Sequence, residues 1–380
     1  MFSDISFAVN RGIRTLATQA MRHFALPSDR RKIDLRGEKI DKILLVRPNF
    51  RLGNSILALP SIYLFRKNYP NAKIDFVGSP VSRALCANLP VDKPYQVARR
   101  FPESSWAYPA LLRKLRREKY DLAVEVSCSQ SALGAFVVGL SGARVKVGRE
   151  GKWDFWYDVK ISKPAERNKY RILPAFVAAM GLETEEALPK VVLSAAEAAT
   201  GSAIIRSAGV GDRAPILGVF VGARKRHGKR WPPNNFTRLI QNLTARGVRV
   251  VVFLGPEERK LMDYFNDNLR AKAPVICEPS LRLFAAMVSQ CELFLTCDSG
   301  PMHLACALGV RTIAIFQNRD FHRWGPPPHR ARIVHDSKAV SVETVERACF
   351  AELSELNVSR ESGQSEPRLP VQSVTTNPVL

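Results

Sequence analysis

The sequence predicts an α/β protein of two doubly wound, parallel-sheet domains that face a cleft. Short apolar runs alternate with helical patterns from residue 41 onwards, and the alternation blurs between about 150 and 195 before it restarts. Continuous apolar strands separated by helices are typical of a parallel sheet covered on both faces. The chain of 380 residues is also long enough for two ordinary domains.

The first predicted domain, residues 41–195, begins with the apolar run KILLVRP. A loop and helix (RLGNSILALPSIYLFRKNYP), a strand (KIDFVG), a helix (RFPESSWAYPALLRKLRREKY), a strand (DLAVEV) and a helix (QSALGAFVVGLSG) follow in that order. The segment LPKVVLSAAEAATGSAIIRSAGV predicts a connection and a new helix.

The second predicted domain, residues 196–355, repeats the alternation. It comprises the strand PILGVFVGA, the helix NNFTRLIQNLTARG, the strand VRVVVFLG, the helices PEERKLMDYFNDNLRAKA and SLRLFAAMVSQ, the strand CELFLTC, and a helix and strand after DSGP. The remaining residues, 356–380, are polar and rich in Pro and Ser, which predicts a disordered tail.

Residues 1–40 predict a basic amphipathic segment. Apolar side chains recur every third or fourth position at Phe2, Ile5, Val9, Ile13, Leu16, Ala20 and Phe24, with arginines on other faces. Such a helix can lie on an anionic membrane surface or pack on its own domain, and the pattern leaves both open. No signal peptide is expected, because no continuous apolar core precedes a small-residue cleavage site.

The composition indicates a soluble globular protein with an anionic partner. Lys and Arg number 57 against 35 Asp and Glu, for a net charge of +22. That excess suggests nucleic acid, an acidic membrane face or a phosphorylated substrate. Nucleic acid is not expected, because no nucleic-acid motif is visible and the basic residues are not interleaved with aromatics on one surface.

The cysteines indicate reduced thiols in a cytoplasmic protein. There are seven, an odd number, and none forms a CxxC pair. We therefore expect neither disulfides nor a metal site.

The stretch FLTCDSGPMHLACALGV predicts a strand that ends at a phosphate-binding turn. Ser299 and Gly300 allow a tight turn, and Pro301 suits the first helical position. The free backbone N–H groups and the helix dipole there can hold a phosphate. Asp298 can instead cap the helix, and His303 can either orient a phosphate or donate to a neighbour in the core.

A basic loop, GARKRHGKRWPPNNF, follows the first strand of the second domain. It carries Arg224, Lys225, Arg226, Lys229 and Arg230. Cations beside a helix N-terminus would stabilise a leaving diphosphate without a metal, although a solvated basic loop is the alternative. Trp231 and Pro232 more naturally start the next helix and pack there.

Two further loops carry polar residues at strand ends. In FLGPEE, Glu257 can hold the two hydroxyls of a ribose, or it can belong to the acidic first turn of the next helix. In RPNFRLGNSILALP, Gly53 lies at a strand-to-helix turn, and Arg47, Arg51 and Asn54 would face the cleft.

These segments together resemble glycosyltransferase family 9, the ADP-heptose:lipopolysaccharide heptosyltransferases, over about residues 42–335. The specific matches are GARKRHGKRWP and DSGPMHLACALGV, supported by KILLVRP, GNSILALPS, YDLAVEV and FHRWGPPPH. The resemblance implies a GT-B fold of two Rossmann-like domains, with an N-terminal acceptor domain and a C-terminal nucleotide-sugar domain.

The same resemblance implies an inverting transfer of heptose from ADP-heptose to a sugar hydroxyl of the lipopolysaccharide inner core. The reaction would use no metal or cofactor. The enzyme would be cytoplasmic, with peripheral contact to the inner-membrane surface where its anionic glycolipid acceptor lies.

Site residues carry over by position. Lys229 would neutralise the departing diphosphate, and Glu257 would bind the ribose. The expected donor site comprises Gly222, Arg224, Lys229, Trp231, Glu257, Asp298, Ser299, Gly300, Pro301, Met302 and His303. The expected acceptor site comprises Arg47, Arg51, Gly53 and Asn54.

One departure from the family pattern concerns the general base. The family has Gly-Asp where this chain has Gly53-Asn54, and an amide cannot remove a proton from a hydroxyl. Glu125, at the end of a predicted strand, is a candidate substitute, although it can equally be a structural acid. Asn54 can instead bind the acceptor while another group or water takes the proton.

Two alternatives to heptose transfer remain open from the sequence. One is a protein of the same fold that binds nucleotide or glycolipid without turnover, and the other is a family 9 transferase that uses a different nucleotide sugar.

Overall fold

A computed structural model describes residues 33–98, 103–127, 130–210, 215–223, 228–269 and 272–361. Most of the predicted N-terminal segment, the end of the predicted tail and the cations Arg224, Lys225 and Arg226 lie outside the described residues.

The first half of the chain forms a parallel six-stranded sheet. Its strands are β1 (Lys42–Val46), β2 (Lys73–Gly78), β3 (Pro94–Gln96), β4 (Leu122–Glu125), β5 (Val145–Arg149) and β6 (Val159–Ile161). Its helices are α1 (Leu52–Ile56), α2 (Pro60–Asn68), α3 (Pro80–Cys86), α4 (Glu103–Glu118), α5 (Ala132–Leu140) and α6 (Ile172–Ala179). The strand order is β3-β2-β1-β4-β5-β6.

The second half repeats this arrangement. Its strands are β7 (Ile216–Phe220), β8 (Arg249–Leu254), β9 (Val275–Cys277), β10 (Leu293–Cys297), β11 (Arg311–Phe316) and β12 (Ala331–His335). Its helices are α7 (Ala195–Ser207), α8 (Pro233–Ala245), α9 (Met262–Leu269), α10 (Leu281–Val288), α11 (Gly300–Ala307), α12 (Phe321–Trp324) and α13 (Val342–Glu361). The order β12-β11-β10-β7-β8-β9 is the same winding read from the other edge.

The central strands are apolar throughout because helices cover both faces of each sheet. Every residue of β7 and β10 is buried, and so is every residue of β1 after Lys42. Winding outward in both directions from the first strand places β1 beside β4 and β7 beside β10. Loops that follow these paired strands meet at the switch point, where such sheets bind ligands.

The predicted fold class is confirmed, with one difference at the C-terminus. Helix α13 packs on the second half through Val345 and Cys349 and continues to Glu361. Residues 356–361 are therefore helical, although the polar composition predicted a disordered tail from 356. The helix persists because its preceding turns bury an apolar face against the sheet.

The two halves are joined by close packing between α1 and α11. A Cβ on Gly300 would lie 2.9 Å from Cβ of Leu52, and one hydrophobic cluster includes Ile56 from α1 and Leu304 from α11. Glycine at this crossing allows the backbones to approach. Within the described part of the chain, no helix has the length and apolar character needed to cross a membrane.

Candidate functional site

A cavity of about 700 Å³ lies between the halves, a size typical of small-molecule sites. Residues that follow β7, β8 and β10 line one side, and residues 50–54 line the other. The predicted site residues that it brings together are Arg51, Gly53, Asn54, Gly222, Lys229, Glu257, Asp298, Ser299, Gly300, Pro301 and His303. Most of the predicted donor loops thus meet in one place.

The start of α11 presents its backbone N–H groups to this cavity. Ser299 is extended (φ −148°, ψ 171°), Pro301 occupies the first turn, and no side chain caps the helix. The Ser299 hydroxyl instead lies 3.1 Å from Oγ1 of Thr296. The helix N-terminus is therefore available to an anion, as its uncapped N–H groups and dipole favour.

Asp298 does not act as the cap, because its carboxylate pairs with Lys229. The ammonium of Lys229 also lies 3.3 Å from the carboxylate of Asp320. Burial raises the pKa of Asp298, while the charge of Lys229 opposes that rise. Two carboxylates, those of Asp298 and Asp320, thus hold the mostly buried Lys229 near the N-terminus of α11.

His303 lies on the cavity wall and is 3% exposed. Its Nδ1 is 2.6 Å from the hydroxyl of Tyr170, which belongs to the segment before α6. Burial, assisted by the positive charge of Lys229, lowers the pKa of His303 to about 3. The imidazole is therefore neutral at physiological pH and is held in place from the other half of the molecule.

Asn54 lies at the boundary between this cavity and a smaller one of about 160 Å³. Arg47 and Arg51 also line the smaller cavity. Arg47 is buried and donates to the Ser127 hydroxyl at 2.5 Å. Of the four predicted acceptor residues, Arg51, Gly53 and Asn54 thus line the donor cavity, and Arg47 lines the smaller cavity next to it.

Glu257 and its neighbour have different surroundings. Glu257 is exposed on the cavity rim, whereas Glu258 is buried with Nη2 of Arg230 3.6 Å from its carboxylate. The helix α9 begins only at Met262, after a short 3₁₀ turn. Glu257 therefore belongs to the loop, which leaves it accessible to a ligand.

Two predicted donor residues lie in the core instead. Trp231 is fully buried, donates from Nε1 to the Val340 carbonyl at 2.8 Å and packs edge-on against Phe236. Met302 is fully buried in a cluster with Phe316. Packing explains why these residues occur in the two motifs, and neither lines the cavity.

Glu125, the candidate substitute base, also does not reach the cavity. It is 1% exposed, accepts from the Tyr157 hydroxyl at 2.5 Å and accepts from the backbone N–H of Ser131 at 3.0 Å. Burial raises its pKa. Because both carboxylate oxygens accept from internal donors, Glu125 has the contacts of a structural acid rather than of a base facing substrate.

Several cavity residues escaped the sequence analysis. They are Lys169, from the connection before α6, and Asp320, Arg323 and Trp324, around α12. Tyr170, whose hydroxyl contacts His303, was also missed. The segments meet where the backbone N–H of Lys169 donates to the Arg323 carbonyl at 2.9 Å. The motif FHRWGPPPH was a visible signal for Arg323 and Trp324, whereas the connection had no such signal.

The described residues contain no cluster of three or more His, Cys, Asp or Glu side chains suited to a metal ion. Six of the cysteines fall in this part of the chain, and all six are free thiols.

Residues 109–354 match the sequence profile of glycosyltransferase family 9 (heptosyltransferase). The chain belongs to this family. It is therefore a glycosyltransferase.

Named relatives and solved structures agree with this assignment. Lipopolysaccharide heptosyltransferase 3 of Escherichia coli is 24% identical over 292 residues, covering 72% of this chain and 83% of that protein. The glycosyltransferase family 9 structure from Veillonella parvula superposes with a TM-score of 0.75 at 19% identity, covering 84% and 99% of the two chains. ADP-heptose lipopolysaccharide heptosyltransferase II of E. coli superposes with a TM-score of 0.69 at 20% identity, covering 83% and 99%. The GT-B fold expected of this family 9 glycosyltransferase is thereby confirmed.

Proposed function

We propose that this glycosyltransferase moves a heptose from ADP-heptose to a sugar hydroxyl of the lipopolysaccharide inner core, with inversion and without a metal. The observation that carries the proposal is Lys229, held at the uncapped start of α11 inside the interdomain cavity. The relatives named as lipopolysaccharide heptosyltransferases support the sugar and the acceptor class.

The donor end of the reaction would use the second half of the chain. The diphosphate would lie against the N–H groups of α11, with Lys229 neutralising the charge that develops as it leaves. Glu257, on the rim beyond β8, would hold the ribose hydroxyls. Arg224, also expected there, lies outside the described residues.

A single displacement accounts for inversion. The acceptor hydroxyl oxygen forms a bond to the anomeric carbon from the face opposite the diphosphate. The bond between that carbon and the phosphate oxygen breaks, and ADP leaves with the electron pair. The hydroxyl proton must pass to a base, which Asn54 cannot supply.

Asp320 is our candidate for that base. Among the described residues, it is the carboxylate that lines both the donor cavity and a neighbouring cavity of about 640 Å³. Its side chain is 44% exposed, in contrast to the buried Glu125. Diphosphate bound at Lys229 would compete for the ammonium that Asp320 now contacts at 3.3 Å.

The acceptor class implies a location at the cytoplasmic face of the inner membrane, with peripheral contact. The net charge of +22 suits an anionic glycolipid and its membrane surface. The basic segment expected to contribute, residues 1–40, lies mostly outside the described residues.

The test is a transfer assay on the purified protein. The acceptor is a deacylated inner-core oligosaccharide ending one heptose early, and the donors are ADP-heptose, ADP-glucose and UDP-glucose. We expect ADP release and a product heavier by one heptose, with inverted anomeric configuration by NMR and an unchanged rate in EDTA.

Transfer of another sugar would reject heptose as the donor group, and loss of activity in EDTA would reject metal independence. Tight ADP-heptose binding without transfer to any inner-core acceptor would favour the non-catalytic alternative, which Asn54 at the family's Asp position suggests.

A further inference from the structure

Two cavities continue from the donor site along the interface between the halves. The inner one, about 160 Å³, is lined by Arg47, Arg51, Lys169 and Arg323, among others. The outer one, about 640 Å³, shares Lys169 and Arg323 and adds Arg149, Lys163, Arg167 and Arg319. We call the two together the basic groove. Both halves of the chain build it.

The basic groove is strongly cationic. Among the described residues, eight Lys or Arg side chains line it against two carboxylates, Glu166 and Asp320. Both carboxylates have partners: Glu166 accepts from the backbone N–H groups of Arg167 and Asn168 at 2.7 and 2.8 Å, and Asp320 lies 3.3 Å from Lys229. The field in the groove is therefore positive and favours a polyanion.

Lys169 lies where the inner and outer cavities meet. It is 6% exposed, and its ammonium is 5.6 Å from the ring centre of Trp324. Its backbone is fixed by the bond to Arg323, and the side chain of the preceding Asn168 donates to the Gly325 carbonyl at 3.0 Å. A buried cation on a backbone fixed in this way is preorganised to bind an anion.

The residues that line the inner cavity assign the anion to the acceptor. Asn54 lines this cavity, whereas Lys229 and the residues at the start of α11, which line the donor cavity, do not. A ligand that filled the groove would therefore extend away from the transferred sugar. Several Lys and Arg side chains converging on one space match phosphate, which accepts hydrogen bonds at three oxygens and carries up to two charges.

We propose that the basic groove binds phosphate substituents of the acceptor glycan, with Lys169 as a specificity-determining contact. The inference rests on the proposed function for the identity of the acceptor. It adds that the enzyme distinguishes phosphorylated from unphosphorylated inner core.

The test measures binding by calorimetry, so it does not require turnover. The probes are the deacylated inner-core oligosaccharide with its phosphates and the same oligosaccharide after alkaline phosphatase treatment. Neither has acyl chains and no vesicle is present, so a lipid headgroup cannot provide the anion. The variants are Lys169→Met, which keeps the apolar stem, and Lys169→Arg, which keeps the charge.

Arg171→Gln is the matched control, because Arg171 is exposed two residues away and does not line the groove. Lys163→Gln, at an exposed position on the outer wall, tests the groove without changing a buried side chain. Thermal melting identifies any variant that fails to fold.

We expect phosphatase treatment to weaken wild-type binding about tenfold, as loss of charge-assisted hydrogen bonds would. Lys169→Met should weaken binding of the phosphorylated probe about tenfold and binding of the phosphatase-treated probe less than about twofold. Lys163→Gln should weaken binding of the phosphorylated probe about threefold. Lys169→Arg and Arg171→Gln should remain near wild type.

The proposal would be overturned if Lys169→Met weakened binding of both probes equally or weakened neither. It would also be overturned if the wild-type protein did not bind the phosphorylated probe. If Lys169→Met does not fold, the same criteria apply to Lys163→Gln. Phosphate-dependent binding without transfer would reject the proposed function but support phosphate binding in the basic groove. Transfer without phosphate-dependent binding would support the proposed function but reject phosphate binding in the groove.

Discussion

The imidazole of His303 lies so close to Gly53 that a Cβ on Gly53 would be 2.6 Å from its Cδ2. Gly53 lies in the first turn of α1 in one half, and His303 lies in the first turns of α11 in the other. Glycine is required at position 53 because the His303 ring leaves no room for a Cβ, and not because the backbone angle is unusual. Asn54, the next residue, lines the same cavity as His303.

Gly53→Ala should push the halves apart at the cavity. We expect a loss of about 1–3 kcal/mol in the free energy of unfolding, as for overpacking, and a fall in kcat/KM for transfer. Gly37→Ala is the control, because its Cβ would meet an ordinary contact at 3.5 Å. Urea unfolding and initial rates measure both effects. A Gly53→Ala variant with wild-type stability and rate would show that His303 can move away from residue 53 at little cost.

Lys229→Met should lower kcat by about 10²-fold, the usual cost of removing one preorganised charge stabiliser. The variant also leaves Asp298 buried without its cation, so its unfolding must be measured in parallel. Lys260→Met, at an exposed position, serves as the control. A folded Lys229→Met enzyme with unchanged kcat would remove Lys229 from the chemistry.

The proposed base is tested by two substitutions. Asp320→Asn should lower kcat about 10²-fold or more, because it removes the proton acceptor and retains the shape. Asn54→Asp in that background should recover part of the rate by restoring the family's carboxylate. Initial rates of transfer test both variants, with unfolding measured in parallel. A folded Asp320→Asn enzyme with wild-type kcat would rule out Asp320.

His303 should make the fold sensitive to acid. Its pKa is about 3 in the folded protein against an ordinary value of 6.5, so between these values the unfolded chain binds the extra proton. Stability is therefore full above about pH 6.5 and falls as the pH drops, by about 2 kcal/mol at about pH 5. His303→Gln should lose less stability than wild type between about pH 7 and pH 5 in urea titrations. Parallel losses would show that other groups govern the acid response.

The sequence predicted elements well where the signal was local. The apolar runs of β1, β7 and β10 identified buried parallel strands, and Ser299, Gly300 and Pro301 marked the start of α11. The three-residue edge strands, such as β3 and β6, were missed because they are too short to show a pattern.

Motif position alone could not tell ligand contacts from packing. Trp231 and Met302 belong to the same motifs as Lys229 and Asp298, yet they pack in the core, while Lys229 and Asp298 pair at the cavity. Neighbours on one loop or helix point in different directions, and which direction is buried depends on the elements packed against them.

By itself, the sequence determined the two doubly wound halves and the loops that meet at their switch points, because alternation and turn chemistry are local properties. The tertiary structure decided which side chains share the site. Tyr170 and His303 are 133 positions apart and lie 2.6 Å from each other. Lys169, Asp320 and Arg323 join them only because the connection before α6 packs on α12. Contacts between segments so distant in the chain depend on how the halves pack, and no local pattern encodes that.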